Sequence, residues 1–346
     1  MHLPKQLLLQ THPINTTPCI EEKKVTFPRI ATAVLALFLA VPTAFAQTRV
    51  TIKSATSSSS YYVMIVQIGE TLREATGGQI IATIEESQGS VQNVKEAARR
   101  PGNFMFTTPP NLLDSARKGE KPFEGETGHD QARTLFVMPG VTVHFVVRAD
   151  SGVSNIADLA GKKFVPGGKG SFCDGRTRTI LRELGLEGKV DLVDIELSGA
   201  SNAVRNRQVV GYSTCSSHPT PDIQELAATT PLRLLSMSSQ QIRTMTERDP
   251  LSSPVTIAKG TYKGIDEDIQ TVGLPVGMFT TTRMDEQTAY QVTRSFWAKR
   301  DEMARKNPLW AGVRPEQIAA FAGTKLHPGA LRYYREVGVS VPASMQ

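Results

Sequence analysis

The chain has 346 residues, of which 40% are hydrophobic and 21% are charged, and its formal net charge is +6. This composition is that of an ordinary globular protein long enough for two domains, and it excludes disordered and collagen-like classes. The basic excess is spread along the chain without a Lys/Arg-rich run interleaved with aromatic residues. That distribution argues against a nucleic-acid surface and suits the capture of small anions.

The first predicted element is an apolar run from Ile30 to Ala46, which follows Lys23, Lys24 and Arg29. It ends in the small-x-small tripeptide Ala44-Phe45-Ala46, as a secretory signal peptide does, although the segment ahead of the run is unusually long. An uncleaved membrane anchor is disfavoured, because a spanning helix needs roughly 20 residues and Pro42 interrupts the run. We therefore expect residues 1–46 to be a signal peptide cleaved near Ala46.

Removal of residues 1–46 takes away four basic and two acidic residues, which leaves 35 basic and 31 acidic residues and a net charge of +4. Of the three cysteines, Cys19 leaves with the leader, and Cys173 and Cys215 remain. An exported compartment permits these two to form a disulfide, and two separate thiols are the alternative. Two cysteines are too few for a disulfide scaffold, so the fold must rest on a hydrophobic core.

The mature chain begins with a strand (RVTIKSAT), a Ser-rich turn (SSSS) and an amphipathic helix that Gly77-Gly78 end. Its apolar face is predicted to hold Tyr62, Ile65, Val66, Gly69 and Leu72. A strand (QIIATIEES), the turn QGSVQN, a helix from about Val91 to Arg99 and the apolar segment Phe104 to Phe106 follow. Strands that alternate with amphipathic helices predict an α/β fold in which ligand loops gather at the carboxyl ends of the strands.

The stretch TLFVMPGVTVHFVVR (Thr134 to Arg148) predicts two strands around Pro139-Gly140. The helix RTRTILRELG and the strand VDLVDIEL then belong to a second α/β unit. A third unit has helices near Ser201 to Arg207 and Asp222 to Ala228. The region Pro254 to Thr282 reads as mainly extended and returns to the first domain, and EQTAYQVTRSFWAKRDEMARK predicts a long helix. Together these patterns indicate two α/β lobes joined by two crossings.

The glycine-rich stretch VPGGKGSFCDG (Val165 to Gly175) matches neither phosphate motif. A P-loop requires Ser or Thr directly after its lysine, but Gly170 separates Lys169 from Ser171, and Cys173 stands where a dinucleotide fingerprint has its last glycine. The stretch nevertheless places Ser171 as the N-cap of a helix, with Asp174 three residues later. A capping turn and an anion contact at the free N–H groups both remain open.

Catalytic and metal chemistry have weak support in the sequence. His218 follows Cys215 by three residues, so a cysteine nucleophile with a histidine base remains an alternative. No other feature marks a cysteine hydrolase, and proximity in sequence is poor support for a dyad. His129, His144 and His327 lack zinc-ligand spacing, so each is expected to pack or to form hydrogen bonds, and no metal site is predicted.

Several segments, in order, resemble the TAXI family of solute-binding proteins of TRAP transporters. They are SSSSYY (Ser57 to Tyr62), ESQGSVQN (Glu86 to Asn93), DSGVSNIADLAGKKFVPGGKGS (Asp150 to Ser171), PVTIAKGTYKGIDEDIQTVG (Pro254 to Gly273) and LHPGALRYYREVG (Leu326 to Gly338). The resemblance implies a periplasmic receptor with a type II periplasmic-binding-protein fold. It implies no enzymatic activity and no cofactor.

The resemblance further implies lobe I at residues 47–147 and 256–346 and lobe II at residues 148–255. The ligand would be an organic acid or an amino acid such as glutamate, and the partner an integral-membrane TRAP permease, with the receptor itself a monomer. A receptor for a sensor kinase and an exported cysteine-dependent hydrolase are the alternatives. The family's contact turns fall on Ser59, Ser60, Tyr61, Gln88, Gly89, Ser90, Asn93, Thr107, Thr108, Lys169, Gly170, Ser171, Phe172, Ser213, Thr214, Cys215 and Ser216.

The sequence departs from the family pattern at the expected cleft. Ser57 to Ser59 replace small glycines in the first turn, and Pro109-Pro110 replace a polar dipeptide after the third strand. Cys173 and Cys215 are not part of the family pattern either. These departures leave the fold prediction intact and put the identity of the ligand in doubt.

Overall fold

The computed structural model describes residues 47–346, so the predicted leader lies outside the described residues. The strands of the described range are β1 (Thr48–Lys53), β2 (Ile80–Glu85), β3 (Phe104–Thr108), β4 (Ala132–Arg148), β5 (Lys163–Val165), β6 (Asp191–Leu192), β7 (Gly211–Ser216), β8 (Leu232–Leu234), β9 (Ser253–Ile257) and β10 (Ile269–Thr281). The helices are α1 (Ser60–Ala75), α2 (Ser90–Ala97), α3 (Pro110–Lys118), α4 (Phe172–Glu183), α5 (Leu197–Arg205), α6 (Pro221–Thr229), α7 (Ser239–Arg248), α8 (Glu286–Lys306) and α9 (Pro328–Glu336).

The strands form one curled sheet in the order β2-β1-β3-β10-β4-β7-β5-β6, with β8 paired to β4 and β9 to β10. Strands β1, β2 and β3 are parallel to one another, and so are β5, β6 and β7. Between these two parallel groups, β10 and β4 run antiparallel to their neighbours. The predicted α/β class with a two-lobe arrangement is confirmed.

Strand β4 is a single strand of 17 residues, where the sequence predicts two strands around Pro139-Gly140. Its pairing with β10 shifts register between Leu274 and Val276, opposite this dipeptide. Pro139 and Gly140 together lie opposite the single residue Pro275, so β4 itself carries the bulge, which accommodates the missing N–H of proline without ending the ladder. The prediction of two separate strands is therefore wrong, because Pro139-Gly140 causes a local irregularity within one strand and does not end it.

The described residues bury three groups of apolar side chains. The first group comprises residues from Val50 to Val141 and from Leu274 to Met345. The second and third comprise residues between Val143 and Val272. Strands β4 and β10 contribute to the first group and to the other two, so they join the two halves of the molecule. The predicted lobe boundaries stay a prediction.

Helix α1 shows how the local sequence positions the cleft. Its N-cap is Ser59, and its buried face includes Met64, Ile65, Ile68 and Leu72. The face is rotated from the predicted one, because Tyr62 and Val66 are only half-buried. At Gly69 a Cβ atom would lie 3.2 Å from side-chain atoms of β2, so the glycine allows the helix to pack closely on the sheet.

Candidate ligand-binding cleft

A cavity of about 50 Å³ lies where the carboxyl ends of β1, β3 and β7 meet the first turns of α1, α2, α4 and α5. Parallel strands bring the loops that follow them to one edge of the sheet, which is where α/β proteins bind ligands. The cavity is lined by Ser54, Ala55, Thr56, Ser59, Tyr61, Gln88, Gly89, Ser90, Thr107, Val141, Ser171, Phe172, Cys173, Leu197, Thr214, Cys215 and Val276.

Ten of the sequence-predicted contact residues line this cavity. They come from all five expected segments and from both halves of the chain: Ser59, Tyr61, Gln88, Gly89, Ser90, Thr107, Ser171, Phe172, Thr214 and Cys215. The structure thus brings together residues that are up to 156 positions apart in the sequence, as from Ser59 to Cys215. Their contact with a ligand remains a prediction.

Seven predicted residues lie outside the lining: Ser60, Asn93, Thr108, Lys169, Gly170, Ser213 and Ser216. Most of their polar groups bond to the protein. The amide of Asn93 donates to the carbonyl oxygens of Ser54 and Thr107 at 2.7 and 3.0 Å. The hydroxyl of Ser213 donates to the His144 carbonyl at 2.9 Å. These side chains support the cavity wall from behind.

Lys169, one of the predicted contact residues, is exposed and lies 3.8 Å from Asp194. It lines a separate surface groove of about 670 Å³ at the mouth of the cleft, together with Lys95, Arg99 and Arg100. Several of these cations are paired, because Lys95 contacts Glu126 at 2.9 Å and Arg100 contacts Glu85 at 2.6 Å. The groove therefore has little unbalanced charge.

Several lining residues were absent from the sequence-predicted contact set. Ser54, Ala55 and Thr56 follow β1 directly, so the rule that ligands bind at the carboxyl ends of strands was a usable signal for them. Val141 and Val276 lie within the long strands β4 and β10, and Leu197 begins α5. No local pattern marks these three, because their approach to the cavity depends on how distant strands pair.

Hydrogen bonds between serines connect the two sides of the cleft. The hydroxyl of Ser216 lies 3.0 Å from that of Ser59 and 2.7 Å from that of Ser60. Ser60 also donates to the Ser217 carbonyl at 2.9 Å, and the Asp222 N–H donates to the Ser58 carbonyl at 3.1 Å. The turn before α1 is therefore bonded directly to the segment that follows β7.

Four helix N-termini face the cavity, and two of them are already capped. The Ser59 hydroxyl accepts from the Tyr61 N–H at 3.2 Å, and the Ser171 hydroxyl accepts from the Asp174 N–H at 3.1 Å. The caps of α2 and α5 are Gly89 and Glu196, which make no side-chain cap bond. Uncapped N–H groups and the aligned helix dipole favour a negative charge in front of them.

Tyr61 sets the polarity of the cavity wall without adding a charge. Burial raises the pKa of its phenol, which therefore stays protonated and donates to the Pro139 carbonyl at 2.6 Å. Behind the opposite wall, burial lowers the pKa of His144 to about 3, with the positive charge of His218 as a smaller cause. His144 is consequently a neutral imidazole at physiological pH.

Cys173 and Cys215 are bonded as a disulfide, with their Cα atoms 5.4 Å apart. Both sulfurs are thereby engaged, so neither is available as the thiolate nucleophile of the alternative hydrolase. The His218 ring, the proposed base in that alternative, has its Nδ1 atom 2.8 Å from the Thr142 hydroxyl. The disulfide instead forms part of the cavity wall.

Residues 47–346 show no sign of a metal centre or of a membrane-spanning helix. No group of three or more His, Cys, Asp or Glu side chains in this range is arranged to hold a metal ion. No helix in it has the length and apolar character needed to cross a membrane.

Solved structures of periplasmic binding proteins share this fold. The periplasmic binding protein BugD is similar over 84% of this chain and 98% of its own, with a TM-score of 0.54 and 15% identity. MatC from Rhodopseudomonas palustris, solved with bound malate, is similar over 84% of this chain and 97% of its own, with a TM-score of 0.53 and 14% identity. At these identities the likeness shows the fold, which is that of the periplasmic binding proteins.

The model of the NMT1-like family matches residues 52–338. The chain therefore belongs to the NMT1-like family. The finer resemblance to the TAXI family remains a prediction.

Proposed function

We propose that this protein is an exported receptor of the TAXI type, which captures a small organic anion or zwitterion in the cleft and delivers it to a TRAP-type permease. The observation that carries the proposal is the convergence of four helix N-termini and several hydroxyl groups on one cavity between the two halves of the molecule. Such groups bind a carboxylate by hydrogen bonds and by the helix dipole. No group in the cavity is required to perform chemistry.

The proposed receptor works by opening and closing. The cavity of about 50 Å³ is lined by side chains from both halves, so separation of the halves would widen the path for a solute. Strands β4 and β10 are the two connections across which a hinge rotation would occur. The serine contacts around Ser216 would then form on closure and add to the stability of the ligand-bound state.

Ligand binding is tested by measuring the Tm of the purified protein in the presence of each member of a panel of organic acids and amino acids. A ligand that binds only the folded state adds about 2.7 kcal/mol of stability at 100 times its dissociation constant, so the expected result is a clear rise in Tm for one class of acid. If no acid shifts Tm and the denatured protein releases no small molecule, the receptor proposal fails.

Expression of the full chain in a bacterium with a periplasm tests export. The expected result is a soluble periplasmic protein whose N-terminal residue is Gln47, because the leader is proposed to end at Ala46. A substitution of Ala44 and Ala46 by Gln is the matched control, since it should block cleavage without touching the mature chain. Retention of the unaltered chain in the cytoplasm would contradict the proposal.

A TRAP permease and a sensor kinase are alternative partners for the same receptor. A growth assay in a strain with a candidate permease separates them, because a transport receptor is needed for uptake of its solute. Uptake that is unchanged when the receptor is deleted would favour the sensor kinase.

A further inference from the structure

Two hydroxyl groups in the cavity wall have no partner among residues 47–346. Thr214 is only 3% exposed and lines the cavity, and its side chain makes no hydrogen bond within the described part of the chain. The hydroxyl of Ser90, on the opposite side, is half-buried and also makes none. A hydroxyl that lines a cavity and bonds to no protein group is free to bond to a ligand, so these two groups indicate that a polar ligand atom belongs beside them.

Helix α2 adds an uncapped N-terminus to the same cavity. Its first backbone hydrogen bond runs from Asn93 N–H to the Gly89 carbonyl at 3.1 Å, so the N–H groups of Ser90, Val91 and Gln92 have no acceptor within the helix. Gly89 has no side chain with which to cap them. Because Gly89, Ser90 and Thr214 all line one cavity of about 50 Å³, a single carboxylate can accept from more than one of these donors.

The rest of the wall is uncharged. Among the described residues, no Asp, Glu, Lys, Arg or His lines the cavity. The nearest buried lysine in the sequence, Lys53, is paired with Glu96 at 2.9 Å. The wall therefore offers no cation for a second carboxylate and no carboxylate for an ammonium group, and burying either charge unpaired would be unfavourable.

Part of the remaining wall is apolar, and the space is small. Val141, Leu197 and Val276 present aliphatic side chains, and the ring of Phe172 closes one side. Since one water molecule needs roughly 10 to 15 Å³, a volume of about 50 Å³ corresponds to roughly three to five heavy atoms. A carboxylate with a short alkyl tail is of that size.

We propose that the cavity binds a short-chain monocarboxylate with an uncharged tail. Its carboxylate accepts hydrogen bonds from the first N–H groups of α2 and from the hydroxyls of Ser90 and Thr214. Its tail packs against Val141, Leu197, Val276 and Phe172. This assignment rests on the proposed receptor function and narrows its ligand class to exclude amino acids and dicarboxylates.

Titration calorimetry with three acids of equal carbon number tests the ligand class. Propionate has the proposed chemistry, alanine adds an ammonium group, and malonate adds a second carboxylate. The protein is first unfolded in guanidinium without reductant and refolded, so that any bound solute is removed. The expected result is binding of propionate at least tenfold tighter than that of alanine or malonate.

The outcomes separate this inference from the receptor proposal. Binding of alanine or malonate as tight as that of propionate overturns the narrowed class and leaves the receptor intact. If propionate fails to bind and a larger acid from the thermal unfolding panel binds, the proposed ligand class is again wrong and the receptor function still stands. If no acid binds at all, both proposals fail.

Two matched variants test the role of Thr214. Thr214→Val removes the hydroxyl with little change of shape, and we expect about a tenfold or greater loss of propionate affinity without loss of folding. Thr177→Val is the control, because the Thr177 hydroxyl likewise has no hydrogen-bond partner but lies outside the cavity lining. It should leave the affinity unchanged. If Thr214→Val and the unaltered protein bind propionate with equal affinity, the Thr214 hydroxyl does not contact the ligand.

Discussion

At the scale of single residues, the fold brings buried polar groups to hydrogen-bond partners that are distant in the sequence. His144 is an example. Its Nδ1 atom lies 3.0 Å from the Thr142 carbonyl, so Nδ1 carries the proton and donates, while Nε2 accepts from the Tyr262 hydroxyl at 3.0 Å. In this arrangement the ring is neutral, because Nε2 carries no proton. Burial and the nearby His218 lower its pKa in agreement with that arrangement.

His144 should make the stability of the protein depend on pH. Its pKa falls from 6.5 to about 3 on folding, so below pH 6.5 the unfolded chain binds a proton that the folded chain does not. Stability is therefore lost as pH falls from about 6.5 toward 3, by up to about 1.4 kcal/mol per pH unit from this residue. Urea unfolding at several pH values measures this slope.

The matched variant for this measurement is His144→Gln, which keeps a polar side chain but cannot titrate. We expect the slope between pH 6.5 and 4.5 to be smaller in the variant, whatever its absolute stability. Of the other described histidines with lowered pKa, His129 and His327 contribute equally in both proteins, whereas His218 interacts with His144, so a change of slope reports on His144 together with that interaction. Equal slopes would show that His144 is not the group responsible.

At the scale of elements, the disulfide joins the start of α4 to β7. Cys173 and Cys215 are 42 positions apart in sequence, and the parallel pairing of β5 with β7 brings their elements together. A cross-link over a loop of this length restricts the unfolded chain and typically stabilises a protein by about 2 to 4 kcal/mol. It also holds in place two residues of the cavity wall.

We predict that Cys215→Ser lowers the free energy of unfolding by about 2 to 4 kcal/mol. Guanidinium unfolding with and without a reductant measures the change. The control is the double variant with Cys173→Ser and Cys215→Ser, whose stability should not respond to the reductant. If the reductant also fails to alter the unaltered protein, the two cysteines do not form the bond in solution.

At the scale of the whole molecule, the two halves share their central strands. Residues Leu135 to Val141 of β4 belong to the first apolar core, and Val143 to Val147 of the same strand belong to the other two. Strand β10 pairs with β4 along much of this length. Neither half can unfold without removing strand partners from the other, so the halves are energetically coupled.

We therefore predict that the two halves unfold in one cooperative transition. Both tryptophans, Trp297 and Trp310, lie in or against the first core, so their fluorescence reports on that half alone. Far-UV circular dichroism reports on both halves. The two signals should give the same midpoint in guanidinium. Separate midpoints would indicate that each half unfolds independently.

Much of the fold follows from local patterns. The alternation of β1, α1, β2 and α2 and the long helix α8 were predicted because apolar periodicity depends on residues close together in sequence. The turns SSSSYY and QGSVQN were expected at strand ends, and Ser59, Gly89 and Ser90 do line the cavity. The capping role of Ser171 also followed from the sequence, because a cap is a contact over three residues.

Other features depended on contacts between distant residues. Val141 and Val276 reach the cavity only because β4 and β10 pair antiparallel. Lys169 lies near Asp194 and outside the cavity, which no spacing rule foretells. The sequence by itself thus determined the class of fold, the elements and the turns near the ligand, since these depend on local periodicity and capping. Only the tertiary structure decided which side chains share the cavity and that its wall is uncharged, because those depend on strand pairing across more than a hundred residues.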